Sequence, residues 1–346
     1  MDEARGTTEE GGAAESRGIH VIATTISGSI KDWGKVERIV PLFREMGRQD
    51  VTLVAVDSHQ EARERTREVV SGGGCRQVIS AGGSGTFNAV LEGCLESGVD
   101  PEEVSLGFLR KGSADLIGKV LGMPDEIEAA VRVFVESLAD NRTQPCDVIQ
   151  LESVGGEEAP RHLVGYGGAE IFGRIPHYTE NRFIKYYKAV LSQLFGDLGP
   201  FFVGAALASA ERSLRGMLGK RREWVVDVDG AEAARGRYQA MIVVNGDLGK
   251  DLPFARGVPL GSGDFHLFGL RDLGALRLVG QLKKAFDATI LDDPERWGFE
   301  AFRVAESLTL TPSGSQPFPV NRDGSTMICR GSARFRIVDR VRLMCA

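Results

Sequence analysis

The chain has 346 residues, 42% of them hydrophobic and 26% charged, with a formal net charge of −6. At roughly 150 residues per domain this length predicts two domains, and the composition excludes a disordered or fibrous protein. The acidic balance supplies no field that would draw the chain to nucleic acid, so no nucleic-acid partner is expected and any membrane contact must be local.

Met1 to Arg17 reads MDEARGTTEEGGAAESR, with acids where a signal peptide needs bases and no apolar stretch behind them. It is expected to be a disordered tail, because it has nothing to bury against the entropy of ordering. No apolar run approaches the roughly 20 residues that span a bilayer. The five cysteines, Cys75, Cys94, Cys146, Cys329 and Cys345, are odd in number and widely spaced. That pattern argues against a disulfide framework or structural zinc and fits a reducing cytoplasm.

From Ile19 onward strand and helix signals alternate. Ile19 to Thr25 is a β-branched run, after which Val36, Ile39, Val40 and Phe43 recur at helical spacing before a stop at Gly47. Val51 to Val56 predicts a second strand, Glu61 to Val70 a charged helix, and Gln77 to Ala81 a third strand. Phe87, Val90, Leu91, Cys94 and Leu95 then mark one helical face, and Val104 to Leu109 a fourth strand. Alternation of this kind predicts an α/β nucleotide-binding domain, a mostly parallel sheet covered by helices, over residues 18–146. Ligands of such sheets bind at the carboxyl ends of the strands.

Residues 147–346 predict a second, β-rich domain. Trp224 to Val228 and Tyr238 to Val244 read as a hairpin-like pair with a long connection, and Ala333 to Leu343 alternates in part. Ahead of them Phe183, Tyr186, Tyr187, Val190, Leu191, Leu194 and Phe195 form a broad apolar helical stripe. It fits a helix packed on the sheet or a lipid-facing lid.

The segment with the most chemical content is Ala81-Gly82-Gly83-Ser84-Gly85-Thr86-Phe87-Asn88, between a predicted strand and a predicted helix. Glycines let a backbone approach a ligand closely, and the free N–H groups of a helix's first turn point at an anion. Strand-to-helix turns also need glycine for structural reasons alone, and the loop by itself leaves both readings open. Gly112 to Lys119 only mimics a P-loop, because five residues separate its glycines and Val120 stands where Ser or Thr is required. No H-E-x-x-H or G-x-S-x-G is present, and the five histidines make no spaced cluster.

These residues resemble the catalytic family of diacylglycerol and sphingosine kinases. The resemblance rests on Gly82-Gly83-Ser84-Gly85-Thr86 with Asn88, followed by Leu106-Gly107, Gly112-Ser113 and the closing Leu121-Gly122-Met123-Pro124. Ser27-Gly28 upstream, and Val243-Val244-Asn245-Gly246, Pro253 and Arg322-Asp323-Gly324 downstream, resemble further landmarks more loosely. The resemblance implies an α/β domain and a β-sandwich domain with ATP in the cleft between them. It further implies Mg²⁺ as cofactor and transfer of a phosphoryl group to a diacylglycerol-like or sphingoid lipid, with peripheral membrane contact. Gly82, Gly83, Gly85, Thr86 and Asn88 would then hold phosphates, Ser27 and Gly28 would border the nucleotide, and Gly112 and Ser113 would line the opposite wall. A homodimer stays open.

The departures change the chemistry. Ser84 and Ser325 stand where the resembled family carries acids, while Arg110 and Lys111 add cations beside the phosphates. Ser84 and Asp323 are the candidate catalytic residues, with Asp115 and Glu170 as other sources of a carboxylate. A serine hydroxyl cannot act as a carboxylate base near neutral pH. The alternatives are a nucleotide-binding pseudokinase and a kinase for a soluble acceptor such as NAD.

Overall fold

The structure, a computed structural model, describes residues 18–24, 33–72, 74–109, 116–179, 222–286 and 289–346. Its first half alternates strictly: β1 (Ile19–Thr24), α1 (Trp33–Glu37), α2 (Ile39–Glu45), β2 (Val51–Val56), α3 (His59–Ser71), β3 (Gln77–Ala81), α4 (Ser84–Leu95) and β4 (Ser105–Leu109), then α5 (Leu116–Val120) and α6 (Ile127–Ala139). The strands run parallel in the order β2-β1-β3-β4, and Ile19 lies level with both Val51 and Gln77. Their carboxyl ends therefore finish together beside the start of α4. Every residue of β1 is buried, as a strand covered on both faces requires.

Local chemistry explains the boundaries. The Ser58 hydroxyl accepts the Glu61 N–H at 2.9 Å, and the Glu61 carboxylate accepts the Asp57 N–H at 2.8 Å, a reciprocal cap on α3. The single helix expected around Val36 to Phe43 is instead two, interrupted at Arg38. Pro41 is the cause: it has no N–H to donate to the carbonyl four residues earlier, and its ring crowds that carbonyl. Gly47, at φ 90°, ends α2 as expected.

The second half comprises β5 (Thr143–Val154), β6 (Arg161–Leu163), β7 (Tyr166–Glu170), α7 (Ile171–Thr179), β8 (Trp224–Val228), β9 (Ala231–Gly236), β10 (Tyr238–Val244), β11 (Phe265–Arg271), α8 (Ala275–Phe286), β12 (Phe299–Val304), β13 (Ser307–Pro312), β14 (Phe318–Arg322), β15 (Ser325–Cys329) and β16 (Ser332–Met344). Six of these strands form an antiparallel sheet, β12-β11-β10-β7-β14-β15. The others extend the parallel sheet into a ten-stranded mixed one, β2-β1-β3-β4-β16-β13-β8-β9, with β5 on β16 and β6 on β5. The parallel expectation therefore holds for β1 to β4, and the sheet becomes antiparallel beyond β16. Strand β5 passes through the expected boundary at Cys146, and β16 returns beside β4, pairing Leu343 with Leu106.

The expected pairing of Trp224–Val228 with Tyr238–Val244 is replaced by another. β8 turns through Asp229-Gly230, at φ 51° and 83°, onto β9, while β10 crosses to the other sheet between β7 and β11. The sequence Ala-Glu-Ala-Ala-Arg-Gly of β9 has little β-propensity, and pairing with β8 overrides it. The two sheets bury a shared core that includes Trp224, Tyr238, Phe265, Phe318 and Phe335. Trp224 of β8 meets Phe318 of β14 edge-on, with ring centroids 5.0 Å apart. Burying each such side chain contributes about 2 kcal/mol.

Candidate functional site

The site starts where β3 ends. Gly83, at φ −88° and ψ −175°, caps α4 with no side-chain hydrogen bond, so the helix opens without a residue covering its first N–H groups. A Cβ at Gly82 would lie 2.1 Å from the Thr86 hydroxyl, and one at Gly85 would lie 2.7 Å from the His59 ring. Gly82 is thus required by close approach, while a side chain at Gly85 would have to displace the His59 ring. The buried Thr86 hydroxyl lies 2.7 Å from the Thr24 hydroxyl, tying the first turn of α4 to the end of β1. Ser84 is the exposed first residue of the helix.

The facing wall comes from the other end of the chain. Strands β14 and β15 join through Asp323-Gly324, at φ 43° and 81°, a two-residue turn that pairs Arg322 with Ser325. A Cβ on Gly324 would come within 3.0 Å of the Ser84 hydroxyl. The Asn88 amide donates to the Ser325 hydroxyl at 3.5 Å, while its carbonyl oxygen, in a residue only 2% exposed, has no hydrogen-bond partner among the described residues. A buried acceptor of this kind needs a donor, and the described residues do not supply one. Gly85, Asn88, Glu92, Arg161, Arg322 and Ser325 contribute to the lining of a cavity of about 660 Å³ between α3, α4 and the hairpin. That is within the range of small-molecule sites.

The Asp323 carboxylate points away from this cavity's open side. It accepts the backbone N–H groups of Val164 at 2.8 Å, Gly165 at 3.1 Å and Tyr166 at 2.8 Å, and the residue is buried. Burial pushes its carboxyl above the ordinary value, against the pull of those three N–H groups and of Arg322. The side chain thereby ties the turn to the segment from Val164 to Tyr166. Glu170, at φ 61° on the far end of β7, accepts the Trp224 indole N–H at 2.8 Å. Asp264 pairs with Arg303 and accepts the Ser262 hydroxyl.

The structure thus gathers Gly82, Gly83, Ser84, Gly85, Thr86, Asn88 and the Asp323 turn into one place. Ser27, Gly28, Gly112, Ser113, Arg110, Lys111, Asp115 and the apolar stripe from Phe183 to Phe195 lie outside the described residues. Sequence reasoning did not single out Thr24, Glu92 or His162. Of these only Glu92 carried a signal, an acid flanked by Ala89, Val90, Leu91, Gly93 and Cys94 in an otherwise uncharged stretch of helix. The described residues hold no cluster of three or more His, Cys, Asp or Glu side chains able to bind a metal ion. With Ser84 and Ser325 in the acid positions and Asp323 committed to N–H groups, they do not make a Mg²⁺ site of their own.

Known proteins resemble this chain in part of its sequence and in its fold. Residues 18–151 match the family model of the diacylglycerol kinase catalytic domain. A diacylglycerol kinase of Staphylococcus saprophyticus is 37% identical over 59 residues, which are 17% of this chain and 18% of that protein. A solved structure of a diacylglycerol kinase from Bacillus anthracis str. Sterne superposes with a TM-score of 0.61 at 14% identity, covering 95% of this chain and 97% of that one. A second structure from the same organism, labelled a candidate diacylglycerol kinase, gives 0.66 at 15% identity over 95% and 98%. At these identities the structural likeness concerns the fold.

Proposed function

We propose that the chain is an ATP-dependent kinase that phosphorylates the hydroxyl of a diacylglycerol-like or sphingoid lipid, a reading supported by the match of residues 18–151 to the diacylglycerol kinase catalytic domain model. The observation that carries this reading is the start of α4, left without a side-chain cap, with the Asp323-Gly324 turn packed against Ser84 and a cavity opening beside them at Gly85, Asn88 and Ser325. Helix N–H groups at Ser84 and Gly85 suit phosphate oxygens, and the macrodipole adds to that preference. Phosphoryl transfer of this kind depends chiefly on positioning and on neutralising charge. On this reading the helix N–H groups of Ser84 and Gly85 contribute to that neutralisation.

A second reading is favoured by one observation, Ser84 in the glycine loop where the resembled family carries an acid. On that reading the chain binds nucleotide without turning it over.

Calorimetry with ATP tests the reading. The wild type is expected to bind, and Gly85→Val to lose binding while melting within a few degrees of wild type, since the new side chain displaces only His59. Equal affinities would remove the loop from the argument. Turnover with diacylglycerol, a sphingoid base or NAD in the presence of Mg²⁺ then separates a lipid kinase from a kinase of a soluble acceptor. Binding without turnover selects the second reading.

A further inference from the structure

Glu92 lies two turns into α4, past the glycine loop, with 5% of its side chain exposed. An isolated carboxylate at such depth would be strongly unfavourable, so its partners define its role. One oxygen accepts the His162 backbone N–H at 3.0 Å, and the other lies 3.0 Å from His162 Nδ1. Arg322 Nη1 stands 3.8 Å from the first oxygen and donates to the His162 carbonyl at 3.1 Å. Burial pushes the Glu92 carboxyl up, but the His162 contacts, with Arg322, outweigh it and hold it below its ordinary value.

The segment Arg161 to Tyr166 is thus gripped from both sides. From α4 the Glu92 carboxylate takes the N–H of His162; from the hairpin the Asp323 carboxylate takes those of Val164, Gly165 and Tyr166. Arg322 closes the ring, because it precedes Asp323 and binds His162. The two carriers of these carboxylates are the two walls of the cavity. α4 presents Gly85 and Asn88, and the hairpin presents Arg322 and Ser325.

We propose that Glu92 is a positioning residue: with Asp323 it clamps residues 162–166 and so sets the separation at which the α4 N-terminus and the β14–β15 hairpin meet one ligand. The inference rests on the nucleotide site proposed above, and it adds the residue that holds the site's two halves in register. Glu92 itself touches no reacting group in this scheme. Its carboxylate acts through His162 and Arg322.

The test uses the whole chain with Glu92→Gln, Ser325→Ala and the double variant, ATP as the probe, and two readouts. Amide hydrogen exchange of the unliganded proteins should show faster exchange in 162–166 and at Gly324 and Ser325 for Glu92→Gln, with β1 to β3 unchanged. ATP affinity should fall roughly tenfold for Glu92→Gln, and by clearly less when Ser325 is already alanine, because coupled sites are not additive. Glu92→Asp should recover part of the affinity. A lower melting temperature with unchanged affinity and uniform exchange would reduce Glu92 to a structural residue and overturn the clamp. Fully additive losses would do the same for its link to the hairpin. Wild-type protein that binds no ATP would overturn the proposed function and the nucleotide part of this inference, while the exchange pattern would still decide whether the clamp exists.

Discussion

In the α/β half the glycine loop and the helix it opens are chain neighbours, since β3 ends at Ala81 and α4 begins at Ser84. In the antiparallel half the facing wall is Ser325, 237 residues away from its partner Asn88. The first wall forms by local rules: a buried strand, two glycines that allow close approach, and a helix started without a cap. The second exists only after β14 has paired with β7 and β15, and after β16 has returned beside β4. A site built half from each ties its geometry to the least local contacts in the molecule.

The contrast is broken most severely at Asp323. Alanine there leaves three backbone N–H groups without their acceptor, in a turn whose φ of 43° already disfavours a side chain lacking a local hydrogen bond. A loss of roughly 3 kcal/mol or more is expected in denaturant unfolding. Faster exchange should then be confined to β14, β15 and residues 164–166. Destabilisation that spreads evenly to β1–β4 would show that the two halves are not separable in this way.

A smaller effect is expected on the local side. Thr86→Val strips the buried Thr24 hydroxyl of its partner and should cost about 1–2 kcal/mol. The double change Thr24→Val with Thr86→Val removes both polar groups and should recover part of that loss. Strict additivity in the two unfolding curves would mean that the pair does not join β1 to α4.

The smallest effect sharpens the comparison through pH. The Glu92 carboxyl is held below its ordinary value when folded, so its contribution to stability is present above the ordinary carboxylate range. It is lost as pH falls through the lowered folded value. The melting difference between wild type and Glu92→Gln should therefore be largest near neutrality and close up in acid. A difference that grows as pH falls would carry the wrong sign for a depressed carboxylate.

No helix among the described residues is long and apolar enough to cross a membrane.

What the amino-acid sequence determined by itself was the set of features written within one turn or one strand-helix unit. The strands Val51–Val56 and Gln77–Ala81, the stop at Gly47 and the loop from Gly82 to Thr86 follow from periodicity and glycine placement. Pro41 was equally visible, and its missing N–H explains the broken helix once it is weighed. The pairing of β8 with β9 was not legible, because Ala231 to Gly236 has little strand propensity of its own and is fixed by a partner. Asp323 shows the boundary between the two kinds of information. Its sequence neighbours announce a turn, but only the tertiary structure decided that its carboxylate faces the N–H groups of Val164, Gly165 and Tyr166 instead of a substrate. The physical reason is burial: a carboxylate shielded from water must take whatever donors the fold brings to it, and in this chain those donors lie on a segment some 160 residues earlier (|i−j| of 159 to Val164).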